Sequence, residues 1–382
     1  MPHSTLPTPH SPESSSQDPG SLSQFQLIRR SFVQHKLAMV GLGVLVLFYG
    51  VALLAEFVSV APPGARDVAY VHCPPTPVRF SVEHGLHVRA LEPVIDPVSL
   101  RRTYVPGEAV VPLTLMAEAE PYRLLGVLPL RHRLIGVDNA ELSELPAGVN
   151  PIFFPLGADK FGRCLYSRIV HGGRVSLSVG LLGVALTFVL GTLIGGVSGY
   201  LGGVADLLIQ RTIEIINAVP SLPLWIALAA AMPPDWSPLQ TYLAITVVLS
   251  VLGWTGLARV VRGKILSLRE EDYATAARLL GASHGRVLVR HLLPGFTSHI
   301  VVALTLAVPG MILGETALSF LGLGLRPPVV SWGVLLQDCL DVKAVRFYPW
   351  LLLPALSIIT TVLAFNFVGD GLRDAADPYS NK

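Results

Sequence analysis

Followed for apolar and polar positions, the chain shows six long apolar stretches, near residues 37–57, 175–200, 211–232, 239–258, 300–321 and 348–368. Each is about 20 residues long, the length a helix needs to cross a bilayer core. Between the first and second stretches the pattern changes. Valines and tyrosines come in short runs (78–82, 110–116 and 122–128), punctuated by Pro63, Pro97, Pro112 and Pro129. Short apolar runs broken by prolines predict strands and turns. The predicted fold is therefore an all-α polytopic membrane protein with six transmembrane helices and a small β-rich extracytoplasmic insert between the first and second.

Composition supports that class. The 382 residues are 51% hydrophobic and only 14% charged, against about one quarter charged for a soluble domain. Mean hydropathy is +0.57. A formal net charge of +2 is too small to suggest a nucleic-acid partner, so the basic residues matter through their placement. Arg29, Arg30 and Lys36 precede the first stretch, and Arg259, Arg262, Lys264, Arg269, Arg278, Arg286 and Arg290 lie between the fourth and fifth. The turn 233–238 has no basic residue. The positive-inside rule predicts cytosolic termini, a cytosolic 259–294 loop and an outward segment over about 59–174 in a plasma (inner) membrane of bacterial type. The Ser/Pro-rich start resembles no secretory signal, and the first stretch reads as a retained anchor.

Few side chains point to chemistry. No run fits G-x-x-x-x-G-K-[ST], the pattern whose amides and lysine cradle ATP phosphates. Neither an H-E-x-x-H helix nor a Cys/His metal cluster appears, so no catalytic or metal-binding residue is assigned. Gly191, Gly195 and Gly199 give the second span one small face for a neighbouring helix. Cys73, Cys164 and Cys339 all fall on the outer side, where one pair could form a disulfide or all could be free. Ionisable groups near a membrane are functional candidates because burying charge is costly. Glu214 and Glu315 qualify, the latter one turn from Ser319. The three are read as translocation-path or gate residues, with a purely structural role equally open.

The cytosolic loop carries more information. Ser267 followed by Glu270 fits a capping box, and Glu271 and Asp272 favour a helix start. That helix continues through Tyr273, Ala274, Ala276, Ala277 and Leu280 and ends at Gly281. Ser283 can cap a second helix, stopped by Pro294. Spacing alone fits equally a plug for another protein's groove and a connector lying on the membrane.

A resemblance adds to this reading. The run DYATAARLLGAS from Asp272, followed by RVLVRHLLP ending at Pro294, resembles the EAA loop of binding-protein-dependent ABC importers, in the form of dipeptide/oligopeptide permeases. Three further stretches are similar to that family: LGADKFGR from Leu156 with Ser167, Arg168, Gly173, Arg174 and Ser176; ETALSFLGLG from Glu315 with Pro327, Pro328 and Ser331 to Gly333; and Phe365–Asn366 with GDGLRD from Gly369 and Asp377–Pro378. Thr275 stands where the loop's glutamate often lies, and Cys164 where an acidic residue usually follows Gly-Arg.

The resemblance implies a permease subunit, second-permease type with an enlarged insert. Its expected partners are a homologous second permease, two ABC ATPases, an extracytoplasmic solute-binding protein and the lipid bilayer. ATP and Mg would be held by the ATPases and no cofactor by this chain. Asp272, Tyr273, Thr275, Ala276, Ala277, Gly281, Ala282, Leu293 and Pro294 are the expected ATPase-coupling residues, with Ala276, Ala277 and Gly281 as the docking face. Family cargoes are peptides, oligosaccharides or nickel, with peptides the default.

The expected division of the chain is a disordered cytosolic tail (1–24), the first span with an amphipathic lead-in (25–58), the insert (59–153), the five-helix core with its loop (154–378), and a short tail (379–382). The insert could dock the binding protein or shape a vestibule. A membrane enzyme would instead require paired carboxylates or a Ser/His site within the spans, and a receptor anchor would require no ATPase partner.

Overall fold

A computed structural model describes residues 24–98, 101–137 and 150–376. The predicted tails, Asp377 and Pro378 lie outside the described residues. An amphipathic helix α1 (Gln24–Gln34) leads into α2 (Lys36–Leu53), whose N-terminus is capped by His35 Nδ1 accepting from the Ala38 amide at 3.1 Å. One short turn, α3 (Ala55–Val58), follows at the end of this first span.

The insert is β-rich, with longer strands than the apolar runs suggest. Strands β1 (Arg79–Ser81), β2 (Gly85–Ile95) and β3 (Arg102–Pro112) form one antiparallel sheet in that order, and β4 (Thr114–Leu124) pairs with β5 (Leu128–Gly136) in a second. The run 122–128 is not a strand of its own but the hairpin between β4 and β5, where Leu125 and Gly126 both take positive φ. Apolar residues at a turn resemble strand in the sequence because periodicity carries no sign of left-handed backbone.

Among the described residues, five helical runs are long and apolar enough to cross a membrane: Lys36–Leu53, Leu165–Leu201, Pro238–Leu268, His284–Phe320 and Pro349–Ala376. We name α4 (Leu165–Leu201), α5 (Gly203–Ala218), α6 (Ser221–Ala230), α7 (Pro238–Leu268), α8 (Asp272–Leu279), α9 (Thr297–Phe320), α10 (Trp332–Leu336), α11 (Val342–Phe347) and α12 (Leu353–Ala376).

The third predicted span departs from a single straight helix: α5 and α6 meet at 85°. Pro220 causes the break. It has no amide to give, and it drives Val219 to extended backbone at ψ 128°. Counting this bent pair as one crossing gives six.

The bundle packs through the small face foreseen for the second span. Gly191 abuts Leu257, Gly195 the Ala258 main chain and Gly199 the Arg262 main chain. A Cβ on Gly199 would stand 2.8 Å from the Arg262 carbonyl oxygen, so a larger residue would push α4 off α7. Away from this seam, toward the N-terminal half of α4, lies an apolar core that includes Leu177, Leu249, Ile312, Leu318, Leu325 and Trp332.

The insert is fastened to that bundle. Tyr70, Cys73, Phe154, Ala158 and Cys164 share a buried apolar cluster. The His72 ring stacks on Tyr348 at 4.0 Å, and Trp350 Nε1 donates to the Ala158 carbonyl at 3.1 Å. Arg174 gives two bonds of 2.7 Å to the Glu56 carboxylate. All three cysteines are free thiols, and burial pushes that of Cys73 up to about 12.

Candidate functional site: the segment between the fourth and fifth spans

Helix α7 runs without interruption through Ser267, so Ser267 cannot cap the next helix as its spacing suggests. Glu270 pairs instead with its neighbour Arg269 at 2.9 Å. The following helix, α8, starts at Asp272 with Glu271 in the cap position and no side-chain cap bond. Its C-terminus is as expected. Gly281 takes φ +83°, its amide donates to the Arg278 carbonyl at 3.0 Å, and the Ala282 amide donates to the Ala277 carbonyl at 3.1 Å. This doubled closure is a Schellman motif.

Pro294 does not stop the second helix. Ser283 precedes a single turn, His284–Arg286; a wide π turn follows over Val287–Leu292, then a 3-10 turn over Leu293–Phe296, and the chain passes directly into α9. Proline is tolerated where a new helical turn begins, and the widened turn before it absorbs the missing hydrogen bond and the ring. As a result the coupling segment and the fifth span form one helical run of 37 residues, His284–Phe320.

Burial revises the expected docking face. Ala274 and Ala277 point inward and pack with Val261, Ile265, Val287, Leu292, Phe296 and Ile300. Ala277 is therefore a seat for α8 against its own chain, not an outward contact. Outward-facing are Asp272, Tyr273, Ala276, Gly281 and Pro294, with Leu279 84% and Leu280 89% exposed. Thr275, Ala282 and Leu293 are half-buried. Thr275 Oγ1 accepts from Arg278 Nη2 at 3.0 Å, and that nitrogen also donates to the Arg269 carbonyl at 3.0 Å, which ties α8 to the end of α7.

A polar bracket that spacing did not reveal anchors the segment to the bundle. Arg262 donates twice to Asp206 at 2.5 and 2.6 Å, Arg269 Nη1 donates to the Gly199 carbonyl at 3.1 Å, and Tyr200 Oη meets His284 Nδ1 at 3.1 Å. These bonds join α4, α5, α7 and the segment after α8. In the sequence these arginines signal only topology; their partners are tens of residues away, beyond the reach of local pattern.

The two candidate carboxylates lie in unlike places. Glu214 is exposed on α5 and paired with Arg211 at 2.6 Å. Glu315 is fully buried, accepting from Ser319 Oγ at 2.8 Å and from Ser176 Oγ at 3.1 Å. The neighbourhood of Glu315 and Ser319 is thus as spaced, with Ser176 added from α4. Neither Glu315 nor Ser319 lines an open path in this conformation. Among the described residues no group of three His, Cys, Asp or Glu is placed to hold a metal ion.

Comparison with known families and proteins places this geometry. The family model described as "Binding-protein-dependent transport system inner membrane component" matches residues 191–381, and that described as "N-terminal TM domain of oligopeptide transport permease C" matches residues 23–75. The chain is 40% identical over 223 residues to the oligopeptide transport system permease protein OppC of Haemophilus influenzae, covering 58% of this chain and 69% of that one. It is 40% identical over 222 residues to the dipeptide transport system permease protein DppC of Bacillus subtilis, covering 58% and 68%. To the glutathione transport system permease protein GsiD of Pectobacterium atrosepticum it is 38% identical over 223 residues, covering 58% and 72%.

Proposed function

Because this chain belongs to the inner membrane components of binding-protein-dependent transport systems, we propose that it forms the translocation path for dipeptides or oligopeptides by alternating access. It is a multi-pass permease subunit, a non-catalytic component whose family works with an ATPase and a binding protein. The peptide reading draws on relatives whose names specify oligopeptide, dipeptide and glutathione transport. In the assembly proposed here, this chain pairs with a homologous second permease over two ATPase subunits, which hold ATP and Mg. Both termini and the 259–294 loop face the cytosol, and the insert faces the binding protein.

The observation that carries the mechanism is the continuity of the coupling segment with the fifth span. An ATPase groove receives the outward edge of α8, chiefly Tyr273, Ala276, Leu279, Leu280 and Gly281. Closure of the ATPases on ATP moves that groove. The segment follows as a rigid unit, since Ala274 and Ala277 seat α8 while the Schellman closure and the Arg278 bonds fix its ends. Movement then passes along His284–Phe320 into the bundle, a rigid-body route of the kind that gates transport paths. Glu214 and Arg211, exposed on the bent third span, face the seam with the second permease, because lipid does not accommodate two such charges.

Reconstitution with the partner subunits and binding protein tests the reading: ATP-dependent accumulation of labelled di- or tripeptides is expected. Accumulation of oligosaccharide or nickel with no peptide uptake would overturn the cargo while leaving the permease role intact.

A further inference from the structure

Beyond the end of α9 the chain leaves the bundle and then buries itself again. Leu325 and Ser331 are 0% exposed, Trp332 is 2%, and Val334 and Leu335 are each 5%. A re-entrant segment of this kind must find partners for its main-chain amides inside the protein. Two of those partners are serine hydroxyls from different spans. The Leu325 amide donates to Ser319 Oγ on α9 at 3.0 Å, and the Trp332 amide donates to Ser176 Oγ on α4 at 3.1 Å.

Each serine hydroxyl has a single proton to give, and both go to Glu315. Ser319 Oγ donates to Oε1 at 2.8 Å and Ser176 Oγ to Oε2 at 3.1 Å. Two relays, each running from a main-chain amide through a hydroxyl to a carboxylate oxygen, therefore end on the two oxygens of one side chain. They hold opposite ends of the re-entrant segment, Leu325 at its entry and Trp332 at its return. Glu315 has no ion-pair partner among the described residues, so its compensation for burial is these hydroxyls together with that of Ser331, which lies on the segment itself. The Trp332 indole adds a bond from Nε1 to the Ile169 carbonyl at 3.0 Å and lies against Gly172 and Gly173 of α4.

We infer that Glu315 is a positioning residue that fastens both ends of the 325–332 segment against α4 and α9, keeping the outer side of the path closed until that segment is released. The inference rests on the alternating-access reading for its consequence, but not for its geometry. A cargo contact would require Glu315 to face a cavity. A fastener requires it to be buried with every oxygen occupied by the segment's own holders, as it is.

The two relays are separable, which makes the test specific. In the complete transporter carrying Cys339→Ser, single reporters Leu325→Cys and Val334→Cys are exposed to a membrane-impermeant maleimide from the outer side. Both are expected to react slowly. Ser319→Ala should raise labelling of the Leu325→Cys reporter by about tenfold or more and leave Val334→Cys protected, the scale expected from one lost buried hydrogen bond. Ser176→Ala should do the reverse, and Glu315→Gln, which turns one acceptor into a donor, should open at least one end. Unchanged labelling in all three variants overturns the inference, as does equal labelling of both reporters in both serine variants, which would mean general loosening. If Glu315→Gln fails to accumulate, the serine variants decide. Labelling requires no cargo, so its outcome is independent of the peptide reading, and failed peptide uptake by the unmodified chain leaves the fastener untouched.

Discussion

Gly281 shows how one residue joins local structure to function. Its φ of +83° is forbidding for a side chain, and no heavy atom would meet a Cβ there, so the penalty of substitution is backbone strain rather than a clash. Gly281→Asp should keep the protein in the membrane, cost about 1 kcal/mol locally, abolish uptake and weaken ATPase retention. Gly281→Asn, which tolerates the same backbone, should do so less. Normal co-purification of the ATPase with Gly281→Asp would sink the docking assignment.

His72 gives a second residue-scale prediction, on the segment before the insert's first strand. Burial lowers its affinity for a proton, outweighing Asp338 and Asp159, while Lys160 lowers it further. A histidine depressed in the folded state stabilises most above its unfolded pKa of about 6.5, and that contribution is lost as pH falls through this value toward the lowered one. Protection of the Val71–Cys73 amides, taken relative to the intrinsic exchange rate at each pH, should therefore fall between pH 7.5 and pH 5, and His72→Gln should abolish the change. A pH response that survives His72→Gln would assign it elsewhere.

At the scale of elements, the sequence was most legible where a rule acts within a few residues. The Gly281 terminus and the glycine seam of α4 follow from local patterning and are found as read. Boundaries set by competition were misread. Ser267 could cap a helix, but α7 extends through it because Ile265 is buried against the coupling segment. Pro294 could end a helix, yet it falls at the start of a new turn. Alanine spacing marks a small face without saying which way it points, and tertiary packing turned Ala277 inward and Ala276 outward. The two are therefore expected to separate. Ala277→Leu should overpack the seat of α8 and cost about 1–3 kcal/mol, read as a lowered midpoint of thermal unfolding in detergent. Ala276→Leu should leave that midpoint unchanged and alter ATPase binding instead. Equal destabilisation by both would contradict the orientation of α8.

At the scale of the whole molecule, the insert presents itself in the sequence as a separable module, since its apolar runs are short and its prolines punctuate them. What no local pattern discloses is how it is attached. Tyr70 and Cys73 share a cluster with Phe154, Ala158 and Cys164, and the His72 ring stacks on Tyr348 before the last span. Cutting out residues 66–145 would strip two of that cluster's five buried side chains, Tyr70 and Cys73, from against Phe154 and Cys164. Burial of such side chains is worth about 1.5–3 kcal/mol each. Such a deletion should lower the amount of folded permease in the membrane, with any loss of uptake following from that. Replacing only the hairpin end, residues 120–130, by a two-residue turn leaves the cluster intact. This smaller variant should assemble normally with its ATPases, and if the hairpin receives the binding protein, uptake should fall at limiting binding protein and recover at saturation. Normal uptake at every concentration would remove the hairpin from the docking surface and leave the insert as a collar that braces the outer loops.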